Sequence, residues 1–392
     1  MRLPFTAALA CIAALVLAPP ASAGTSAAGH VRVAIDSAAA GADFTATASR
    51  DQFVILQGSE TARLRSLKAA NPHLTVLLYK NLSGMVARDA YGFTTTGVSA
   101  QEADAHPDWY LLNTSGQRFT FNGYPWIWAA DVGSPSYQQK WAENVLGQVR
   151  AEGWDGVFID DVNPTISPHY DPAGVARYPT DAQYAAATRS AVATIGPALR
   201  SAGKVAIANL GGHWADFPGV VADWLQFLDG AMDEHFTKAG GGPGTGLVDG
   251  DAWRGELDEV RLAESQGKAF LGVAHSSGDD PGAARYGWAT TLLAANGRSY
   301  FALQGDYTNE TWYPEYDLPI GQPAGAETEA DGIHRRAFTC GLVLVNPTPQ
   351  ARPVSFGGAY SGSGLSSATG ATMQPHTGLV LVADGCPAAA SR

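Results

Sequence analysis

The chain has 392 residues, 45% of them hydrophobic and only 16% charged, with a formal net charge of −12. It is too long for one small domain and too apolar for a disordered one. No basic stripe offsets the acidic surplus, which excludes a nucleic-acid partner and favours a neutral or cationic one.

The chain opens with a secretory leader over residues 1–23. Arg2 supplies the positive start, Ala7 to Ala18 the apolar region and Ala21-Ser22-Ala23 the cleavage site. Cys11 lies inside it, so Cys340 and Cys386 remain as a pair, expected to form a disulfide in an exported protein. No later run approaches the roughly 20 apolar residues of a membrane helix.

From Phe53 onward, short apolar runs alternate with helical patterns, the signature of βα units around a parallel sheet. The expected strands are Phe53–Gln57, Thr75–Lys80, Trp126–Asp131, Val157–Ile159, Lys204–Asn209, Asp229–Glu234, Ala269–Ala274 and Ser299–Gln304. Between them run helices marked by Leu64 and Leu67, by Trp141, Val145 and Val149, and by Trp253, Leu257 and Val260. Eight such units predict a (β/α)8 barrel over residues 24–331. From Gly332 the pattern changes to short strands separated by Gly, Ser and Pro, predicting a small all-β, sandwich-like module over residues 332–392.

Ala151–Val162, AEGWDGVFIDDV, is the most informative stretch. Gly153 ends a helix, Val157-Phe158-Ile159 reads as a strand buried on both faces, and Asp160 and Asp161 sit where it leaves the core. That edge is where barrels gather catalytic groups. The other strand ends are also polar: Tyr79, Lys80 and Asn81, Asp131, Asn209, Glu234 and His235, His275, and Gln304. Barrel interiors are filled with branched apolar residues, so packing alone does not account for the set.

Two carboxyls flanking a cleft are the minimum for glycoside hydrolysis. Asp160 shares a strand face with Phe158 and is expected to attack or to activate water. Glu234, flanked by Ala231 and Met232, is expected to be the proton donor, with Asp233 a structural acceptor. Trp109, Tyr110, Tyr124, Trp126 and Trp128, together with Tyr170, Trp214, Trp312, Tyr313 and Tyr316, offer flat faces for sugar rings. Two rival readings stand beside this one. One is a carbohydrate-binding barrel without activity. The other is a metal hydrolase built from His169, His213, His235 and His275 with Asp160 and Asp161, although no HxH or HExxH spacing occurs.

GWDGVFIDDV resembles the strand-four signature G-[FWY]-D-G-[VI]-F-x-D-N-V of bacterial barrel glycoside hydrolases called hypothetical glycosyl hydrolase 15. These are similar in layout to endo-α-1,4-polygalactosaminidases. NPHLTVLLYKN, DVGSPSYQQKW, YPEYDLPIGQP and GLVLVNPT extend the resemblance over most of the chain. It implies a catalytic Asp after strand four and a Glu after strand six, which map onto Asp160 and Glu234. At Asp161 the family more often has Asn. The expectation is an exported, monomeric hydrolase of a poly- or oligosaccharide, needing no cofactor. Asp160, Glu234 and Asp161 are its candidate catalytic residues. Tyr79, Lys80, Trp128, Asp131, Asn209, His235, His275 and Gln304 are candidates for substrate binding.

Overall fold

The computed structural model describes residues 27–386, apart from 36–38, 40, 90–91, 167–173, 211–217, 306 and 309. The expected leader lies outside the described residues, as do His169, Tyr170, His213 and Trp214.

The chain starts with β1 (Ala28–Ala34), α1 (Thr47–Arg50), β2 (Phe53–Leu56), α2 (Thr61–Ala70) and β3 (Thr75–Asn81). It then makes an excursion through β4 (Gly84–Met85), α3 (Ala100–Ala103), β5 (Thr120–Phe121) and β6 (Tyr124–Ala129). The βα alternation resumes with α4 (Pro135–Glu152), β7 (Gly156–Asp160), α5 (Asp181–Ser201) and β8 (Val205–Asn209). It continues through α6 (Pro218–Leu225), β9 (Gly230–Asp233), α7 (Gly250–Ser265), β10 (Ala269–His275), α8 (Pro281–Ala294) and β11 (Ser299–Gln304). Eight parallel strands close into a barrel in the order β1-β11-β10-β9-β8-β7-β3-β2.

The barrel confirms the fold class but corrects two strands. Trp126–Asp131 is not a barrel strand: it overlaps β6, which lies between β4 and β5 in a separate antiparallel sheet. Its outer residues are exposed, as suits a strand with no helix over it. The strand that completes the ring is β1. Its inward residues Val31 and Val33 are apolar, but its outward face carries His30 and Arg32, which obscure the apolar run. Both are accommodated. His30 stacks on Trp288 with centroids 4.5 Å apart, and the Arg32 guanidinium donates to Asp43 O and Thr47 Oγ1, each at 2.7 Å. One strand is lost and one gained ahead of β7, so β7 remains the fourth strand of the barrel.

The barrel interior holds Val31, Val33, Ile55, Leu77, Phe158, Ile207, Met232, Leu271, Val273 and Ala302. On β7, Gly156 is required by packing, since a Cβ there would lie 2.2 Å from Val205 O on the neighbouring strand. Gly153 at φ 87° ends α4 and turns the chain into that strand.

Beyond the barrel lie β12 (Thr328–Ala330), β13 (Ile333–Ala337), β14 (Gly341–Asn346), β15 (Arg352–Gly362), β16 (Leu365–Met373) and β17 (Thr377–Ala383). They form one antiparallel sheet in the order β12-β13-β14-β17-β15-β16. Alternation on β14 sends Val343 and Val345 to the barrel side, and Leu342 and Leu344 to a separate core with Phe356, Met373 and Leu381. This explains the unbroken apolar run GLVLV. The sheet sits tightly on α8: a Cβ on Gly378 would lie 2.4 Å from Arg285 O. Arg336 donates to Leu292 O (3.0 Å) and Ala295 O (2.6 Å), carbonyls at the end of that helix. The Cys340–Cys386 disulfide is present and spans 46 positions, which stabilises by about 4 kcal/mol in the chain-entropy model.

Candidate active site

Along a strand, side chains alternate between faces. Counting two residues on from the inward apolar positions gives the wall of the cleft. Tyr79 follows Leu77, Asp160 follows Phe158 and Asn209 follows Ile207. Glu234 follows Met232, His275 follows Val273 and Gln304 follows Ala302.

Asn209 is the hub. Its Nδ2 donates to Asp160 Oδ1 at 3.0 Å and to Glu234 Oε2 at 2.7 Å. Tyr79 donates its hydroxyl to Asp160 Oδ2 at 2.5 Å. Tyr307, in the loop after β11, donates to Glu234 Oε1. Each carboxylate therefore accepts a phenol and shares one amide. Asp161 reaches the same cluster by a different route. Its φ of 56° breaks the strand alternation, and its Oδ2 accepts from Asn81 Nδ2 while its carbonyl accepts from Ser83 Oγ at 2.9 Å. Asp is among the residues that tolerate this left-handed conformation best.

Burial inside the barrel, then the negative charges of Asp161 and Glu234, push the Asp160 carboxyl up to about 8. His275 packs edge-on to Tyr307 at 5.6 Å and lies 6.1 Å from His235; burial is the main cause of its lowered pKa. Gln304 donates to Val33 O at 3.0 Å, while its buried Oε1 has no partner among the described residues.

Three expected binding residues lie outside this cluster. Lys80 points to the opposite face from Tyr79 and donates to Thr94 O at 2.5 Å; burial lowers its ammonium to about 8. Asp131 follows β6 rather than a barrel strand, and it accepts from Tyr178 at 2.5 Å and from Arg177. Trp128 is half-buried on β6 against Tyr110, with centroids 6.3 Å apart. His235 is exposed, and its backbone N–H donates to Asp233 Oδ1 at 2.8 Å, the structural role expected of Asp233. Trp312, Tyr313 and Tyr316 pack with one another, and Trp312 and Tyr316 also pack on His30 under β1, away from the cleft wall. Tyr307 is the residue that pattern reading misses. It lies in a loop, at φ 57°, with no strand register to point to it. Among the described residues, no three His, Cys, Asp or Glu side chains converge as metal ligands would.

Residues 68–342 match the family described as hypothetical glycosyl hydrolase family 15. The chain belongs to that family. It is thereby a glycoside hydrolase, with a carbohydrate as substrate. No curated protein matches the sequence. Among solved structures it is similar to a noncanonic maltogenic α-amylase, AmyB, from Thermotoga neapolitana, at 11% identity and a TM-score of 0.50, covering 91% of this chain and 96% of that one. An α-amylase from Malbranchea cinnamomea gives 12% identity, the same TM-score and the same coverage. The glycoside hydrolase domain of PelA from Pseudomonas aeruginosa gives 13% identity and a TM-score of 0.46, covering 72% and 96%. At such identities the likeness to the two α-amylases is one of fold alone.

Proposed function

We propose that this family member is an exported hydrolase of O-glycosidic bonds that retains anomeric configuration, with Asp160 as nucleophile and Glu234 as acid/base. The observation that carries the reading is the single Asn209 nitrogen shared by both carboxylates. The two bonded oxygens can lie no farther apart than the sum of 3.0 and 2.7 Å. That supports the roughly 5–5.5 Å separation of retaining enzymes over the ~6.5–9.5 Å that leaves room for a water in inverting ones.

In the first step Glu234 gives its proton to the leaving oxygen while Asp160 attacks the anomeric carbon. In the second, Glu234 takes a proton from water, which releases the sugar from Asp160. The pair needs one proton in total, and the raised pKa supplies it through neutral pH. A coupled pair titrates as a unit, so the productive form, with the proton on Glu234, carries the same total charge as the form with it on Asp160. Tyr79 and Tyr307 hold each carboxylate in place, and their hydroxyls support the anionic member in either form.

Proton NMR of the first-formed reducing ends during hydrolysis tests the stereochemistry. Products with the anomeric configuration of the substrate are expected, and inverted products would refute the assignment of Asp160 as nucleophile. Sequencing the N-terminus of protein recovered from culture medium tests export: a start at Gly24 is expected.

A further inference from the structure

The feature that the proposed chemistry does not use is the outer half of β6. Among the described residues, Tyr124 and Trp126 are the two large apolar side chains left exposed, at 52% and 62%. They are two positions apart on one strand and touch edge-to-face, with centroids 5.6 Å apart. Trp128 continues the same face inward, half-buried. Between the two tryptophans, Ile127 packs over Gly84 so closely that a Cβ there would be 2.5 Å away. The result is a short file of rings, its outer two in contact, on a strand whose pairing with β5 shifts register between Thr120 and Phe121.

The inner end of this file is fastened to the catalytic rim. Ala130 N–H, one residue beyond β6, donates to Ser83 O at 2.8 Å, and Ser83 Oγ donates to Asp161 O at 2.9 Å. At about 3.3 Å per residue, Trp126 lies at most roughly 10 Å and Tyr124 at most roughly 17 Å along the strand from Ala129. The strand that carries the rings is therefore tied at its inner end to the turn that holds Asp161 and runs outward from it.

We infer that the Tyr124–Trp126–Trp128 face is a platform for the distal sugars of a polysaccharide chain whose scissile bond lies at Asp160 and Glu234, so that the substrate is a polymer. The inference rests on the proposed hydrolytic site. Flat rings with a polar edge suit the C–H faces of pyranoses. The file is too narrow for a protein partner. Two exposed aromatic side chains offer roughly 150–250 Å² each, against about 800 Å² per side in a stable protein interface.

The test compares wild type with Tyr124→Ala/Trp126→Ala, each also carrying Asp160→Asn for the binding arm. Retardation is measured in gels containing soluble starch, barley β-glucan, dextran or partly deacetylated chitosan. Where a polymer is hydrolysed, kcat/KM is measured on it and on its trisaccharide. We expect retardation by at least one polymer, weakened about tenfold in the double variant, and a fall of about tenfold in the polymer-to-trisaccharide ratio of kcat/KM, mostly through KM. Both side chains are exposed, so an unchanged melting temperature controls for folding. Hydrolysis with an unaltered ratio and unaltered retardation overturns the platform and leaves the hydrolytic reading standing. Retardation lost in the variant, without hydrolysis by wild type, keeps the platform and removes the hydrolytic reading. Retardation by none of the polymers overturns the platform. So does wild-type self-association in sedimentation that the double variant abolishes.

Discussion

The inner and outer faces of the barrel strands carry polar groups of the same kinds and use them for different ends. Off the cleft wall, in the loop after β9, Lys238 is fully buried and meets Asp280 at 3.4 Å and Gly242 O at 2.9 Å, tying the loop over residues 240–246 to the start of α8. Lys80 does the same for the loop at Thr94. Each such charge is absorbed by partners that hold a loop in place. On the inner face, Asp160, Asp161 and Glu234 share one small space with amides and phenols, and no cation is bonded to them among the described residues. Negative charge is concentrated there rather than cancelled. A group that is cancelled stabilises the fold, whereas one left under stress can take up and release a proton.

Substitutions on the two faces should separate these roles. The largest effect is expected inside: Asp160→Asn and Glu234→Gln should each lower kcat/KM by about 10³-fold or more with the melting temperature held or raised. Hydrolysis that survives both changes would remove the distinction between the faces. Away from the cleft, Lys238→Met takes the cation from Asp280 but leaves it the Ala283 and Gly244 N–H groups, and should cost about 1–3 kcal/mol in urea unfolding while the folded fraction keeps its specific activity. Asp161→Asn should act more mildly and on the pH profile. The Asp160 carboxyl gives up its proton as pH rises through about 8, so activity that needs that proton falls there. Removing the neighbouring charge lets that proton go sooner, and the basic limb of kcat/KM should move to lower pH. An unmoved limb would mean that Asp161 does not act on the pair. The smallest effect belongs to Lys80→Met, about twofold or less in kcat/KM, since its ammonium serves Thr94 O and not the cleft.

The period-two rule accounts for what was readable in advance. Asp160, Asn209, Glu234, His275 and Gln304 each stand two residues beyond an inward apolar side chain, so composition and alternation together find them. Lys80 and Asp131 are polar and near strand ends, but Lys80 stands one residue out of phase and Asp131 follows a strand outside the ring. Counting polar ends without phase admits both. β1 escapes because a buried arginine and histidine look like surface residues until their partners are known. Tyr307 escapes for a deeper reason. Its hydroxyl reaches Glu234 from a loop, and loop direction follows from tertiary packing rather than from local pattern.

The ring of strands closes where its first and last members meet: β1 and β11 share three paired positions, Ala28 with Ser299 through His30 with Phe301. The helix packed outside β11 is α8, which the terminal sheet grips through Gly378 and caps with Arg336. The sheet is thus a clasp fastened over the helix that backs the place where the ring closes. The firmness of that closure draws on the far end of the chain, on residues set apart from the carboxylates.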